Sequence, residues 1–232
     1  MIDEIKPAIS FVVPAYKSVA WLGECLMSLL SQTVDNTEII VINDNGEEDD
    51  GTNDILEWAS QFKRVKIIKH EKNMGAGPSR NEGMKLATAD IIAVCDADDC
   101  YPDGRAQVTL DWFREHPESE MVNFPMIHVG YNNEEIEKLD GMPFDHDAFK
   151  DHGAINYFSN PTCAYKKASM LEIEGYDKES DIKTDDMQMV EKWVKAGKKI
   201  DFDNQYYLGF HRCLPDSMMT KFRGWSPQWG SK

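Results

Sequence analysis

Apolar residues in this chain fall into short, β-branched blocks separated by amphipathic stretches, and that alternation predicts most of its architecture. The first block is Ala8-Ile9-Ser10-Phe11-Val12-Val13, closed by Pro14. Glu38-Ile39-Ile40-Val41-Ile42, Val65-Lys66-Ile67-Ile68 and Ile91-Ile92-Ala93-Val94-Cys95 follow it. Each is short and close to continuously apolar, the pattern of a strand covered on both faces. Between the first two, Leu22, Cys25, Leu26, Leu29 and Leu30 recur at the i, i+3, i+4, i+7, i+8 spacing of a single helical stripe. Ile55, Leu56, Trp58, Ala59 and Phe62 predict a second helix. A third opens at Pro78, a residue suited to the first helical position, after the loop Asn73-Met74-Gly75-Ala76-Gly77. Strands alternating with helices at this interval predict a βαβ sheet, largely parallel, through about residue 100.

The second half is less regular. Met121-Val122-Asn123-Phe124 is a candidate strand, and residues 132–153 are polar and aperiodic, as expected of a long functional loop. Further on, Thr184 is placed to cap a helix with Asp185 and Asp186 in its first turn. Its expected buried face carries Met187, Val190 and Val194, with Trp193 beside them, and Gly197 ends it. No repeat, low-complexity tract or linker divides the chain, so one domain is expected, made of two halves that meet near residue 100.

Composition narrows the function. With 232 residues, 41% of them hydrophobic, the chain has material for a sizeable core. Its formal net charge of −16 repels nucleic acid and anionic lipid, so a nucleic acid partner is disfavoured. The segment Lys221-Phe222-Arg223-Gly224-Trp225 is locally basic and aromatic; it is expected to pack on the core, and stacking on a base or sugar face is the other reading. No apolar run reaches the roughly 18 residues needed to span a bilayer, and Met1-Ile2-Asp3-Glu4-Ile5-Lys6 has no leader character. A cytoplasmic protein without stable membrane insertion is expected. The five cysteines are odd in number, scattered and never in a C-x-x-C pair, which predicts reduced structural thiols.

The chemistry concentrates at Asp96-Ala97-Asp98-Asp99, directly after the fourth apolar block. In open α/β sheets ligands bind beyond the carboxyl ends of the strands, so these acids face a ligand rather than bulk solvent. Adjacent carboxylates repel each other, and a hard divalent cation with oxygen ligands, Mg²⁺ or Mn²⁺, keeps such a cluster ionised and in turn holds phosphates. An EF-hand is excluded: the sixth position from Asp96 is Tyr101 rather than Gly, and the twelfth is Gln107 rather than Glu. A solvated acidic turn is the plainer reading of these residues taken alone.

Five strings occur in order: Val12-Val13-Pro14-Ala15-Tyr16, Ile40-Val41-Ile42-Asn43-Asp44-Asn45-Gly46, Asn73-Met74-Gly75 through Ser79-Arg80-Asn81, Asp96-Ala97-Asp98-Asp99, and Thr184-Asp185-Asp186. Together they resemble the family 2 glycosyltransferases of GT-A fold, inverting sugar transferases, over residues 8 to about 215. The resemblance implies an α/β fold with a mixed, mostly parallel central sheet flanked by helices. It divides the chain into a nucleotide-sugar-binding half (8–100), an acceptor and catalytic half (101–215) and a C-terminal tail (216–232).

It also implies roles. Pro14, Ala15 and Tyr16 line the nucleotide pocket, where a rigid turn and an aromatic ring suit a planar base. Asp44 takes the place of the acid that accepts a hydrogen bond from uracil, although Asn43 stands where many relatives have a first Asp. Asn73 and Gly75 belong to the donor loop, and Arg80, near a helix N-terminus, matches a diphosphate-binding arginine. Asp98 is the direct metal ligand; Asp96 and Ala97 belong to the same Asp-x-Asp motif, with Asp96 assigned to the ribose hydroxyls or to support of the metal. Asp186 is the general base. Asp185 precedes it where a Glu is usual, one methylene shorter. His211, with Ser217 downstream, matches a late histidine that reaches the metal or diphosphate.

The implied reaction moves a sugar from a nucleotide diphosphate donor, a UDP-sugar, to the hydroxyl of a glycan, lipid-linked sugar, protein or modified base, with Mn²⁺ or Mg²⁺ present. Residues 128–163, including His128, Tyr131, His146, His152, Tyr157, Asn160 and Thr162, are expected to shape the acceptor pocket. The competing readings are a metal-dependent nucleotidyltransferase and a sugar-nucleotide-binding module without chemistry. Pro14-Ala15-Tyr16, standing where a nucleotidyltransferase carries a glycine-rich turn, counts against the first.

Overall fold

The computed structural model describes residues 6–152, 158–178 and 184–214. Its first half alternates strand and helix: β1 (Ile9–Ala15), α1 (Val19–Leu30), β2 (Thr37–Asn43), α2 (Thr52–Ala59), β3 (Val65–Lys69), α3 (Ala76–Leu86) and β4 (Ile91–Val94). The second half continues with α4 (Arg105–Glu115), β5 (Met121–Asn123), β6 (Met126–Val129), β7 (Glu135–Leu139) and α5 (His146–His152). After a 3-10 turn at Asn160–Thr162 come β8 (Ala164–Lys166), α6 (Lys167–Glu172), α7 (Asp185–Lys195), β9 (Asp201–Phe202) and β10 (Phe210–Arg212).

One seven-stranded sheet runs in the order β3-β2-β1-β4-β8-β5-β9, and β10-β6-β7 form a smaller second sheet. β1, β2, β3 and β4 are mutually parallel, while β8 runs antiparallel to both β4 and β5. The carboxyl ends of the first four strands therefore share one edge. Period-two alternation divides the core between the faces of the sheet. Ile9, Phe11, Val13 and Ala15 of β1 pack with Leu22, Leu26 and Leu29 of α1, whereas Val12 packs with Ile40, Ile42 and Val94 against Met84 of α3 and Met189 and Trp193 of α7. A Cβ on Gly83 would collide with the Val12 side chain, so its absence lets α3 lie directly on β1.

Pro14 sits inside β1, paired with Ile42. The carbonyl of Val12 accepts from the Cys95 N–H at 3.1 Å, and Pro14, two residues on, faces the same neighbour past the end of β4. No ladder bond needs the N–H that proline lacks there.

Several expectations change. Residues 132–153 are not one loop: they include β7 and α5, and β7 escaped the pattern because Glu135, Ile136, Glu137 and Lys138 are all exposed. The buried face of α7 is Asp185, Met189, Val190, Trp193 and Val194, while Met187 is exposed. Thr184 stands at the N-cap position, yet its hydroxyl bonds the Asp186 carboxylate instead of a backbone N–H. All five cysteines are unpaired, and four of them are buried. No helix among the described residues is long and apolar enough to cross a membrane.

Candidate active site

Beyond β4 the chain turns at once, the Asp99 N–H bonding the Asp96 carbonyl at 3.2 Å, which gathers three carboxylates at the carboxyl edge of the sheet. The Asp96 N–H donates to the Tyr101 hydroxyl at 2.6 Å, and the buried Arg105 guanidinium lies 4.2 Å from the centre of the Tyr101 ring while donating to the Val94 carbonyl. Asp99 is buried; its Oδ1 accepts from the Arg212 N–H at 2.9 Å and its Oδ2 meets His211 Nδ1 at 3.1 Å. Arg212, also buried, donates to the Asp98 carbonyl at 3.0 Å, the Tyr131 carbonyl at 3.0 Å and Glu24 Oε2 at 2.9 Å, and covers the Trp21 ring at 4.0 Å. β10 is thereby latched onto the acidic turn.

Charge crowding shows in the electrostatics. Desolvation, then Asp99 and Asp96, pushes Asp98 up to about 7, with His211 opposing. Burial works against the His211 imidazolium, but Asp99, Asp98 and Asp96 outweigh it and hold this ring up at about 9. A cation beside Asp98 would relieve that repulsion. The His211 Nε2 atom is buried and has no hydrogen-bond partner, leaving a lone pair or proton to be satisfied at this point. Among the described residues no three His, Cys, Asp or Glu side chains converge into a ready-made cage. An ion such as Mg²⁺ takes one or two carboxylates from protein and completes its shell with substrate phosphates and water. Asp98 could supply such a carboxylate, and His211 could join it through Nε2 in its neutral form.

Across the cleft, Arg80 of α3 joins the two acidic motifs. One terminal nitrogen lies 2.7 Å from Asp96 Oδ1, the other is bonded to Asp185 Oδ2, and the guanidinium stands 5.5 Å from the Tyr176 ring centre. Both ends of a residue expected to wait for a diphosphate are thus taken up by the protein's own acids. Burial raises Asp185 from its ordinary value in spite of Arg80. Asp186, the next residue, is partly exposed at the first turn of α7; its Oδ1 accepts from the Thr184 hydroxyl and from the Met187 N–H at 2.8 Å. A Cβ on Gly77 would collide with the Asp177 carbonyl, so this glycine lets α3 approach the segment leading to α7.

At the donor rim, Asp44 is almost wholly enclosed. It accepts from the Met74 N–H at 2.7 Å, the Gly75 N–H at 2.8 Å and Asn73 Nδ2 at 3.1 Å, and meets His70 Nδ1 at 2.6 Å. Four donors fill its lone pairs, so Asp44 organises the loop around Asn73 and Gly75. Gly75 adopts a φ of 95°, which a side chain would resist. Ala15, whose carbonyl accepts from the Asp44 N–H at 2.8 Å, is buried, while Tyr16, directly after β1, is 48% exposed.

The acceptor expectation divides. Tyr131 is exposed, but Thr162 bonds the Phe124 carbonyl at 2.6 Å, Asn160 receives the Tyr176 hydroxyl at 3.1 Å, and His146 accepts from the Ile200 N–H at 2.9 Å. These three hold the fold together. His128 is buried with Nδ1 at 2.9 Å from Glu137, 5.4 Å from His211 between ring centres. Tyr157, the His152 side chain, Ser217 and residues 221–225 lie outside the described residues. Sequence reasoning missed His70, Arg105, Tyr176 and Arg212. His70, Tyr176 and Arg212 act through partners distant in the chain, and Arg105 through the carbonyl of Val94 and the ring of Tyr101.

A mostly parallel sheet with an antiparallel insert after β4, carrying an acidic turn at its carboxyl edge and a second acidic pair opposite, defines the GT-A class of glycosyltransferase folds. S. aureus TarS 1-349, solved in complex with UDP-GlcNAc, superposes with a TM-score of 0.73 at 20% identity over 91% of this chain and 60% of its own. The mannosyltransferase PcManGT from Pyrobaculum calidifontis, solved with GDP-Man and Mn²⁺, gives 0.65 at 16% identity over 88% and 56%. The model of the family Glycosyl transferase family 2 matches residues 10–173, and the chain belongs to that family. Its relatives include the putative glycosyltransferase EpsH of Bacillus subtilis (strain 168), 41% identical over 93 residues, 40% of this chain and 26% of that protein. Another is the Escherichia coli UDP-Gal:alpha-D-GlcNAc-diphosphoundecaprenol beta-1,3-galactosyltransferase, 25% identical over 175 residues, 75% and 63% respectively. The chain thus spans less than two thirds of the length of these relatives.

Proposed function

We propose that the chain is an inverting glycosyltransferase that moves a sugar from a nucleotide diphosphate, a UDP-sugar, to an acceptor hydroxyl. The observation that carries this reading is the Arg80 bridge, which sets the Asp96–Asp98 turn opposite the Asp185–Asp186 pair. Inverting transfer needs a donor phosphate end and an acceptor base on opposite sides of one anomeric carbon, and two acidic motifs joined by one arginine support assigning one motif to each task. Names of relatives that handle UDP-GlcNAc, UDP-Gal and GDP-Man add support for a nucleotide-sugar donor.

Tyr16 and the loop held by Asp44 offer the surface for base and ribose, with Asp96 beside it. Asp98 and His211 are the residues for Mn²⁺ or Mg²⁺, which when bound would offset charge on the departing diphosphate. In this reading Asp186 takes the proton from the acceptor hydroxyl as its oxygen attacks from the face opposite the nucleotide, base catalysis worth roughly 10²- to 10⁴-fold. Asp185 is tied to Arg80, and the Asp186 carboxylate is held by the Thr184 hydroxyl and the Met187 N–H. In this reading residues 8–100 serve the donor and 101–215 the acceptor.

Incubation with UDP-sugars, Mn²⁺ and an acceptor panel tests the reading through its products. Release of UDP with an inverted glycosidic bond is expected; release of pyrophosphate would instead mark nucleotidyl transfer. Asp98→Ala should abolish turnover and weaken Mn²⁺-dependent UDP binding, whereas Asp186→Asn should abolish turnover and leave UDP binding intact. Retention of near wild-type transfer by both variants would refute the assignment.

A further inference from the structure

His70 follows β3 directly, its backbone N–H bonding the Asn43 carbonyl at 2.9 Å and so extending the β2–β3 ladder by one bond. This places its ring, 9% exposed, at the carboxyl edge of the sheet beside the donor loop. Nδ1 lies 2.6 Å from Asp44 Oδ1 and Nε2 lies 2.7 Å from Glu82 Oε2. A neutral imidazole has one N–H and one lone pair, and an ionised carboxylate only accepts. Two carboxylates at these distances are both satisfied only when both nitrogens carry protons. Around the ring an open cavity of about 530 Å³ is lined by Gly46, Glu47, Lys69, His70 and Glu71.

We propose that His70 is a positioning residue of the donor site: as an imidazolium it ties Asp44, and with it the loop of residues 73–75, to Glu82 of α3, so that its protonation sets the affinity for the donor nucleotide. The inference rests on the nucleotide-sugar reading above. Asp44 is the shared node, since the carboxylate held by His70 also receives the Met74 and Gly75 N–H groups and the Asn73 amide. Glu82 lies two positions from Arg80, so the same ring ties the donor loop to the helix that joins the two acidic motifs. The groups facing His70 are Asp44 from the end of β2 and Glu82 from α3, with Glu47, Lys69 and Glu71 around the cavity. Burial works against the charge, but Asp44 and Glu82 outweigh it and hold the ring above its ordinary 6.5.

The sign follows. The clamp is complete below the ordinary value and is lost as pH rises through the higher folded value, when one ring nitrogen turns a lone pair toward a carboxylate. NMR of the histidine rings in the 232-residue chain, assigned with His70→Gln, is expected to show both His70 nitrogens protonated at neutral pH. Calorimetry with UDP and with GDP, each with Mn²⁺, is expected to show affinity falling on the alkaline side by about 2- to 10-fold, the worth of one hydrogen bond. His70→Gln should bind more weakly at low pH and lose this step, and Glu82→Gln should move the step to lower pH. The ligand's own titration is common to all three proteins and cancels in their comparison. A singly protonated His70 ring, or an alkaline step that survives in His70→Gln, would overturn the proposal. Failure of the wild type to bind either nucleotide, with the ring doubly protonated, would refute the nucleotide-sugar reading and the affinity claim with it, while leaving the ionic tie measured.

Discussion

Replacing Arg80 by Met removes the cation between Asp96 and Asp185 while keeping much of the side chain's length. The two acids are not equal: the Asp185 side chain is 11% exposed and that of Asp96 is 25% exposed. Water reaches Asp96 and screens it, so the cost falls mainly on Asp185, an anionic group left in the protein without its partner. Removing one member of a buried pair costs about 3–5 kcal/mol, because the other charge stays desolvated. For a chain of this size that is a fall in melting temperature of roughly 6–20 °C, at about 2–4 °C per kcal/mol. Adding Asp185→Asn removes the stranded charge and should return most of the loss. Arg80→Lys should behave more like Met than like Arg, since a single ammonium cannot reach two carboxylates in fork geometry. Urea and thermal unfolding of the single and double variants provide the assay. If Arg80→Met lies within about 1 kcal/mol of the wild type, or if the double variant is no more stable than the single, the bridge does not hold the two motifs as argued.

Two further predictions concern the scaffold. Glu38, buried in β2, accepts from the Ser10 hydroxyl at 2.6 Å and from the Thr88 N–H at 2.8 Å, and is paired with Lys66. Burial alone would raise its pKa, but these bonds outweigh it and hold the carboxyl below its ordinary 4.5. Its stabilisation is therefore present above that value and lost as pH falls through the folded one, so Glu38→Gln should flatten the acid side of a melting-temperature profile. An unchanged acid limb would count against this network. Gly77→Ala drives a methyl into the Asp177 carbonyl, a backbone atom that cannot swing aside, and should destabilise by about 1–3 kcal/mol in urea unfolding; a neutral result would mean that α3 and the 177 segment are less closely packed.

The first half of the chain was legible because β1, β2 and β4 are covered on both faces, so burial itself writes a continuous apolar block into the sequence. β7 carries no such record, and β8, β9 and β10, of three, two and three residues, are shorter than any periodic window. α4 was missed for a different reason: two of its four buried positions are Arg105 and Thr109, which break an apolar stripe. Met187 was assigned to the wrong face of α7 because the buried stripe begins with an acid: Asp185, Met189 and Trp193 share a face at four-residue intervals, and Asp185 is buried by virtue of Arg80, 105 residues away.

The same distinction separates the parts of the site. In a parallel sheet every polar residue that directly follows an apolar block arrives at one edge, so Tyr16, Asp44 and Asp96 could be assigned to a common cleft from order alone. What fixes their geometry is not local. Asp44 is surrounded by donors from residues 70–75, Asp96 by Arg80, and Asp99 by His211 and Arg212. The side chains among these partners, His70, Asn73, Arg80 and His211, are charged or polar, and Arg80 is buried where it meets its acids. Composition points the same way: with 41 acidic against 25 basic residues, the few cations that are buried mark where acids had to be gathered. Arg80, Arg105 and Arg212 are such buried cations, and all three stand at or behind the acidic turn.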